Sequence, residues 1–201
     1  MIGQTIRLKI QAGKEEEFEG LVAQLMRDVT SNEPGSIYDV RRIRGEPQTY
    51  FYFISFTDQA GFDQYIAADY HTQMSPKALA LLDGNPSLED LDAFEQSCLT
   101  DFWIKPIITQ IIHVKVKPGK EANLEALVAQ LMRDVTANEP GSFLDVRRVR
   151  GKPNTYLYYL SFTDQGAFDR YKRADYHLRM APRALALLDG DSVWEELDAF
   201  T

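Results

Sequence analysis

The sequence predicts an α+β protein made of two copies of one β-α-β-β-α-β unit, and three observations predict it. The stretch LVAQLMRDVT occurs at Leu21–Thr30 and again at Leu127–Thr136. The same offset of 106 residues carries Ile2–Phe94 onto Ile108–Phe200 without a gap, with about 59 of the 93 paired positions identical, roughly 63%. That period far exceeds the roughly 20–50 residues of solenoid repeats, so each copy is a whole small domain. Within a copy, an alternating strand, a stretch of helical spacing, a hairpin of two strands, a second helical region and a last strand set the order of elements.

Ile2–Ile10 (IGQTIRLKI) and Ile108–Val116 (ITQIIHVKV) alternate apolar and polar residues and read as strands. Ala12-Gly13-Lys14 and Pro118-Gly119-Lys120 supply the turn. A helix follows, with Phe18, Leu21, Val22, Leu25, Met26 and Val29 on one stripe and Leu124, Leu127, Val128, Leu131, Met132 and Val135 in the second copy. Asn32-Glu33-Pro34-Gly35 stops it, because proline cannot continue a helix and glycine supports the reversal. A second strand is expected over Ser36–Arg44, and Gly45-Glu46-Pro47 turns it into a third, Thr49–Phe56. That third strand, TYFYFISF, is apolar or aromatic at nearly every position, so both of its faces should be covered, one by the helix and the other by the duplicated domain. Thr57-Asp58 caps a second helical region through about Leu82, broken near Ala68–Pro76. Leu88–Phe94 and Val193–Phe200 form a last strand, completing a ferredoxin-like unit with a four-stranded antiparallel sheet.

The domain boundaries this implies are 1–94 and 108–201, joined by a linker at 95–107 (EQSCLTDFWIKPI) in which Phe102 and Trp103 are expected to pack down. A domain of about 93 residues buries only about 60–65% of its unfolded surface, so the halves are expected to pack together as an internal pseudo-dimer. The sequence leaves open whether two molecules pair further.

Net charge is -8 for the chain, which argues against a nucleic-acid partner. The charge is uneven: residues 1–100 hold 8 Lys+Arg against 16 Asp+Glu, and residues 101–201 hold 14 against 14. Gln64, Ile66, Ala67 and Gln73 become Arg170, Lys172, Arg173 and Arg179, either drift on a solvated helix face or contact with an anionic ligand or partner. The single cysteine, Cys98, rules out an internal disulfide and a cysteine-based metal cluster, and its linker position argues against a catalytic thiol. No apolar run approaches the roughly 18 residues of a membrane span, and MIGQTIRLKI lacks the pattern of a signal peptide. No membrane contact and a cytoplasmic location are expected.

Each copy carries an E-P-G-S turn, Glu33-Pro34-Gly35-Ser36 and Glu139-Pro140-Gly141-Ser142. Next come an aromatic-x-D segment, Phe56-Thr57-Asp58 and Phe162-Thr163-Asp164, and a histidine-bearing helix with Tyr70-His71 and Tyr176-His177. With these motifs the unit resembles the antibiotic biosynthesis monooxygenase family of the dimeric α+β barrel superfamily. The resemblance covers both copies and omits the linker. It implies two sheets facing each other as a barrel, normally between two chains and here as one intramolecular dimeric α+β barrel. It also implies a pocket between the sheet and helices of each unit, oxidation of quinols or polycyclic phenols by molecular oxygen, and no added cofactor. The sequence departs from the family pattern where Phe56 and Phe162 replace a frequent tryptophan and Tyr65 and Tyr171 replace a first histidine. Haem-degrading relatives use an asparagine on the first strand; Gln4 and Gln110 stand there, which disfavours haem degradation.

Three histidines exist, at 71, 113 and 177. His113 aligns with Arg7 and reads as an exposed strand residue. His71 and His177 are the candidate proton acceptors: near an ordinary pKa of about 6.5, either could take a phenol proton and so favour electron transfer to oxygen. Their alternative role is to bind a backbone carbonyl at a helix break. Tyr65, Tyr70 and Phe56, with Tyr171, Tyr176 and Phe162, are the candidate substrate-binding residues for a small aromatic molecule. Tyr50, Tyr52, Tyr156 and Tyr158 either join them or serve as ordinary packing, and Met74 and Met180 read as core fillers. Arg41 and Arg147 should point opposite to Arg42, Arg44, Arg148 and Arg150, with ion pairing to Asp39, Glu33 or the other domain preferred over substrate binding. No metal site is expected, and no phosphate loop, nucleophile elbow or zinc motif occurs. The functional expectation is a cofactor-independent monooxygenase acting on a small quinol or phenol. Its rivals are a non-catalytic small-ligand binding or stress-associated barrel, and a structural duplication with filled cores.

Overall fold

A computed structural model describes residues 2–94 and 108–200 of the chain. The expectations for Cys98, Phe102 and Trp103 fall outside the described residues. The first repeat contains β1 (Ile2–Lys9), α1 (Glu15–Asn32), β2 (Ile37–Ile43), β3 (Thr49–Phe56), α2 (Gln59–Ala67), α3 (Asp69–Leu79) and β4 (Ser87–Asp92). The second repeats the order as β5 (Ile108–Lys115), α4 (Glu121–Asn138), β6 (Phe143–Val149), β7 (Thr155–Phe162), α5 (Gln165–Arg173), α6 (Asp175–Leu185) and β8 (Val193–Asp198). Two compact units result, Met1–Leu91 with Asp198–Thr201 and Asp92–Leu197.

Each unit has the predicted β-α-β-β-α-β topology. In the first, β1 and β2 flank β3 antiparallel, with Ile6 and Val40 both opposite Tyr52. β4 lies beside β1, where Gln4 Nε2 donates to Asp90 Oδ1 at 3.0 Å. In the second, β8, β5, β7 and β6 follow one another antiparallel, with Ile112 opposite both Trp194 and Tyr158. Alternation along a strand places Gln110, Ile112 and Val114 on one face of β5, the face that α4 and α6 cover.

The helical stripe is buried as its spacing demands: Phe18, Val22, Leu25 and Val29 in α1, and Leu124, Val128, Met132 and Val135 in α4. Leu21, Met26, Leu127 and Leu131 are only partly buried, although they lie on the same stripe. The doubly apolar third strand is buried on both faces: Tyr50, Tyr52, Ile54 and Phe56 pack beneath α1, and Phe51, Phe53 and Ser55 between them are equally covered.

The second helical region is two helices, parted at Ala68 and Ala174, whose ψ angles of 142° and 136° are extended. The break is thus at the near end of the stretch expected to carry it, and Pro76 and Pro182 lie inside α3 and α6. Each proline still accepts through its carbonyl, from Ala80 N at 3.1 Å in the first copy. Asp58 and Asp164 cap α2 and α5, accepting from Gly61 N at 2.9 Å and Ala167 N at 2.7 Å. Asp164→Ala should therefore lower stability by about 1 kcal/mol in urea denaturation.

The arginine triplets divide by face as strand alternation requires. Arg41 and Arg147 are buried with Asp39 and Asp145, two residues away on the same face. Arg42 and Arg148 turn to the helices and bind Glu19 and Glu125 through two nitrogens each. Tyr50 and Tyr156 donate to the same two glutamates, at 2.7 and 2.6 Å, and this fixes them as packing residues. Arg44 pairs with Asp198 and Arg150 with Asp92 at 2.6 Å. None of the described helices is long and apolar enough to cross a membrane.

Candidate active site

Each unit holds an apolar cavity between its sheet and its helices. The cavity of the first unit is about 250 Å³, under α1 and α3, with Ile6 and Tyr52 on the sheet side and Leu21, Leu25, Met74 and Ala78 on the helix side. That of the second is about 320 Å³, with Gln110, Ile112, Val114 and Tyr158 on the sheet side and Leu127, Leu131, Met180 and Ala184 above. The partly buried leucines of the helical stripe are thus exposed to a cavity. Met74 and Met180, expected as core fillers, stand on the walls.

His71 lines the first cavity and His177 the second. The break at Ala68 and Ala174 turns the chain so that each imidazole folds back on the preceding helix end. His71 Nδ1 lies 3.1 Å from the Ile66 carbonyl oxygen, and His177 Nδ1 lies 3.3 Å from that of Lys172. A carbonyl only accepts, so Nδ1 carries the proton in the neutral ring and Nε2 is left as the acceptor. Burial lowers both histidine pKa values below the ordinary 6.5, against a smaller upward pull from the carbonyl bond. Near neutral pH both rings are therefore uncharged bases. The carbonyl contact foreseen as an alternative role is present, and it fixes the tautomer.

Tyr65 and Tyr171 also line the cavities, packed on the histidines with ring centroids 4.4 Å apart. Burial drives both hydroxyl pKa values far above the normal tyrosine range, so they act as neutral donors. Phe56 and Phe162 stand behind them, 5.0 Å centroid to centroid and almost wholly buried, and do not reach the cavity walls. Tyr70 and Tyr176 are also set back. Tyr70 donates to Glu33 Oε1 at 2.8 Å and Tyr176 to Glu139 Oε1 at 3.4 Å. Burial, with the adjacent Glu139 carboxylate, pushes the Tyr176 hydroxyl up to about 12. Those buried glutamates belong to the E-P-G-S turns, so this tyrosine clamps the turn to the helix. His113 is half-buried on β5 and lines neither cavity.

Sequence reasoning overlooked several wall residues. Tyr38 lines the first cavity, and its hydroxyl meets that of Tyr65 at 3.3 Å. Trp194 stands at the second, where the first copy has Leu88, beside Lys172, which the sequence singled out for the charge it adds in place of Ile66. Gln110 was named only as a departure from asparagine; its side chain is 9% exposed, and Oε1 has no hydrogen-bond partner among the described residues. Strand alternation already placed Gln110 in line with Ile112 and Val114, and that was the available signal. Among the described residues no cluster of His, Cys, Asp or Glu is arranged to hold a metal ion.

Residues 1–77 and again residues 107–183 match the profile of the family described as antibiotic biosynthesis monooxygenase. Among solved structures, a candidate monooxygenase from Lactobacillus acidophilus NCFM is similar at TM-score 0.84 and 14% identity, covering 98% of this chain and 92% of that one. A candidate monooxygenase from Fusobacterium nucleatum is similar at TM-score 0.78 and 14% identity, covering 98% and 91%. An anthrone oxidase-like protein is similar at TM-score 0.55 and 13% identity, covering 100% and 91%. At such identities the likeness concerns the fold. No curated protein matches the sequence.

Proposed function

The chain belongs to the antibiotic biosynthesis monooxygenase family, and from that premise we propose that it oxidises a small quinol or polycyclic phenol with molecular oxygen. The observation that carries this reading is the neutral histidine on each apolar wall, held by Nδ1 and left with Nε2 as a base. Nε2 of His71 or His177 takes the proton of the substrate hydroxyl. The phenolate passes one electron to oxygen, the radical pair joins at a ring carbon, and the hydroperoxide loses water to give a quinone. One oxygen atom enters as a carbonyl; the other leaves as water with the hydrogens of the hydroxyl and the ring C–H. All four electrons taken up by oxygen come from the ring, so the step needs no external reductant. The Tyr65 and Tyr171 hydroxyls stay protonated and can donate to the negative charge developing on oxygen.

Oxygen uptake by the purified protein tests this, with metal chelator present and a panel of quinols and polycyclic phenols. Anthrone leads the panel because a neighbour in fold is anthrone oxidase-like. Substrate-dependent uptake above the autoxidation blank is expected. His71→Ala combined with His177→Ala should reduce turnover by about 10²–10⁴-fold with the fold intact. Unchanged turnover in the double variant would remove histidine from the mechanism. No uptake across the panel would leave the cavities as binding sites without chemistry.

A further inference from the structure

The two cavities share most of their lining and differ at a few positions. In the first unit Tyr38 occupies the wall beneath the helices, its ring 6.0 Å from Tyr52 and 5.7 Å from Tyr65. The Tyr38 and Tyr65 hydroxyls lie 3.3 Å apart, so these two hydroxyls bond each other. Phe18 narrows it further. In the second unit the corresponding residues are Leu144 and Leu124, so the phenol of Tyr38 has no counterpart there. The cavity grows from about 250 to about 320 Å³.

The second difference is polar. Gln4 turns its amide to Asp90, at 3.0 Å, and does not line the first cavity. Gln110 lines the second, nine-tenths buried, with Oε1 lacking a partner among the described residues. A buried carbonyl oxygen without a donor is costly, and a ligand hydroxyl is the group that relieves it. Trp194 and Lys172 complete the mouth, with Lys172 Nζ 4.5 Å from the Phe168 ring centroid.

We propose that the copies have diverged into one ligand site per chain: the second cavity binds a planar hydroxylated aromatic whose hydroxyl donates to Gln110 Oε1, while Tyr38 fills the corresponding place in the first. This deepens the functional reading above and rests on its view of the cavities as substrate sites. The natural probe is alizarin, a dihydroxyanthraquinone that is already oxidised and so reports binding without turnover.

Trp194 and Trp103 are the only tryptophans. In a Trp103→Phe background the indole emission reports the second cavity alone. Calorimetry should give one equivalent of alizarin per chain, with quenching of Trp194 saturating at the same ratio. Gln110→Leu should weaken binding on the order of tenfold, and Leu144→Tyr should abolish it. If Leu144→Tyr fails to fold, Gln110→Leu still decides. Two equal sites, no binding, or binding indifferent to Gln110→Leu would overturn the proposal. Oxygen uptake abolished by the double histidine exchange, together with two equal alizarin sites, would keep the functional reading and remove this one. One alizarin site without any oxygen uptake would do the reverse.

Discussion

Asp145→Ala is expected to destabilise the second unit by about 3–5 kcal/mol, the penalty for breaking a buried ion pair from one side. The Arg147 side chain is 0% exposed and that of Asp145 is 1% exposed. Arg147 Nε and Nη2 both donate to Asp145 Oδ2, at 2.9 and 2.7 Å. Removing the carboxylate takes from the buried guanidinium the oxygen that accepts from both its Nε and its Nη2. Native domains hold only about 5–15 kcal/mol in total, so the variant should unfold at markedly lower urea concentration. The paired exchange Asp145→Leu with Arg147→Met removes both charges and should recover much of the loss. Arg150→Ala supplies the contrast: its pair with Asp92 is about half exposed on both sides, and its loss should cost about 0–1 kcal/mol. An Asp145→Ala loss no larger than that of Arg150→Ala would show that burial does not set the value of this pair.

That contrast separates what the sequence displays from what only the folded chain contains. Arg41-Arg42-x-Arg44 and its copy announce their alternation, and Asp39 and Asp145 stand two residues away on the same face, so the buried pairs could be expected. The fold was legible for a similar reason. The stripe from Phe18 to Val29 follows a helical period, and TYFYFISF is too apolar for a half-exposed strand. Local periodicity sufficed because each element buries the face its own residues define.

The candidate site was legible only where a titratable residue recurs. His71 and His177 stood out because histidine is scarce, and Tyr65 and Tyr171 flank them one helix earlier. Phe56 and Tyr70 were grouped with them by adjacency in sequence, but side-chain direction separates them. Phe56 ends β3 pointing behind Tyr65, and the Tyr70 hydroxyl reaches back to Glu33, 37 residues earlier. The features that distinguish the cavities were hidden differently. Tyr38 against Leu144 looks like drift among roughly 63% identity, and it gains meaning only when the strand face and the Tyr65 hydroxyl opposite are known. The unsatisfied oxygen of Gln110 is a statement about neighbours, which no spacing rule reports.

The pH dependence of turnover follows from the same neighbours, and it should be steep on the acid side. For His177 the largest influence is burial, which lowers its pKa below 6.5; the Lys172 carbonyl offsets this only in part. His71 is shifted the same way by the same two causes. With the neutral ring as the proposed base, kcat/KM should be flat above about pH 6.5 and fall about tenfold per pH unit once pH drops below the folded pKa. Stability moves with the same sign: the unfolded chain binds the proton near pH 6.5 while the folded histidines still resist it, so acid favours unfolding from there down to the folded value. Above both values the contribution is constant. The tyrosines add no alkaline limb below about pH 9, because burial raises their pKa values. A kcat/KM profile between pH 5 and 8, with folding followed in parallel, measures this. An acid limb with a midpoint below 6.5, absent from residual turnover in the double histidine variant, is the expected result. A midpoint above 7, or a limb that survives the variant, would assign the titration to the substrate or to another group.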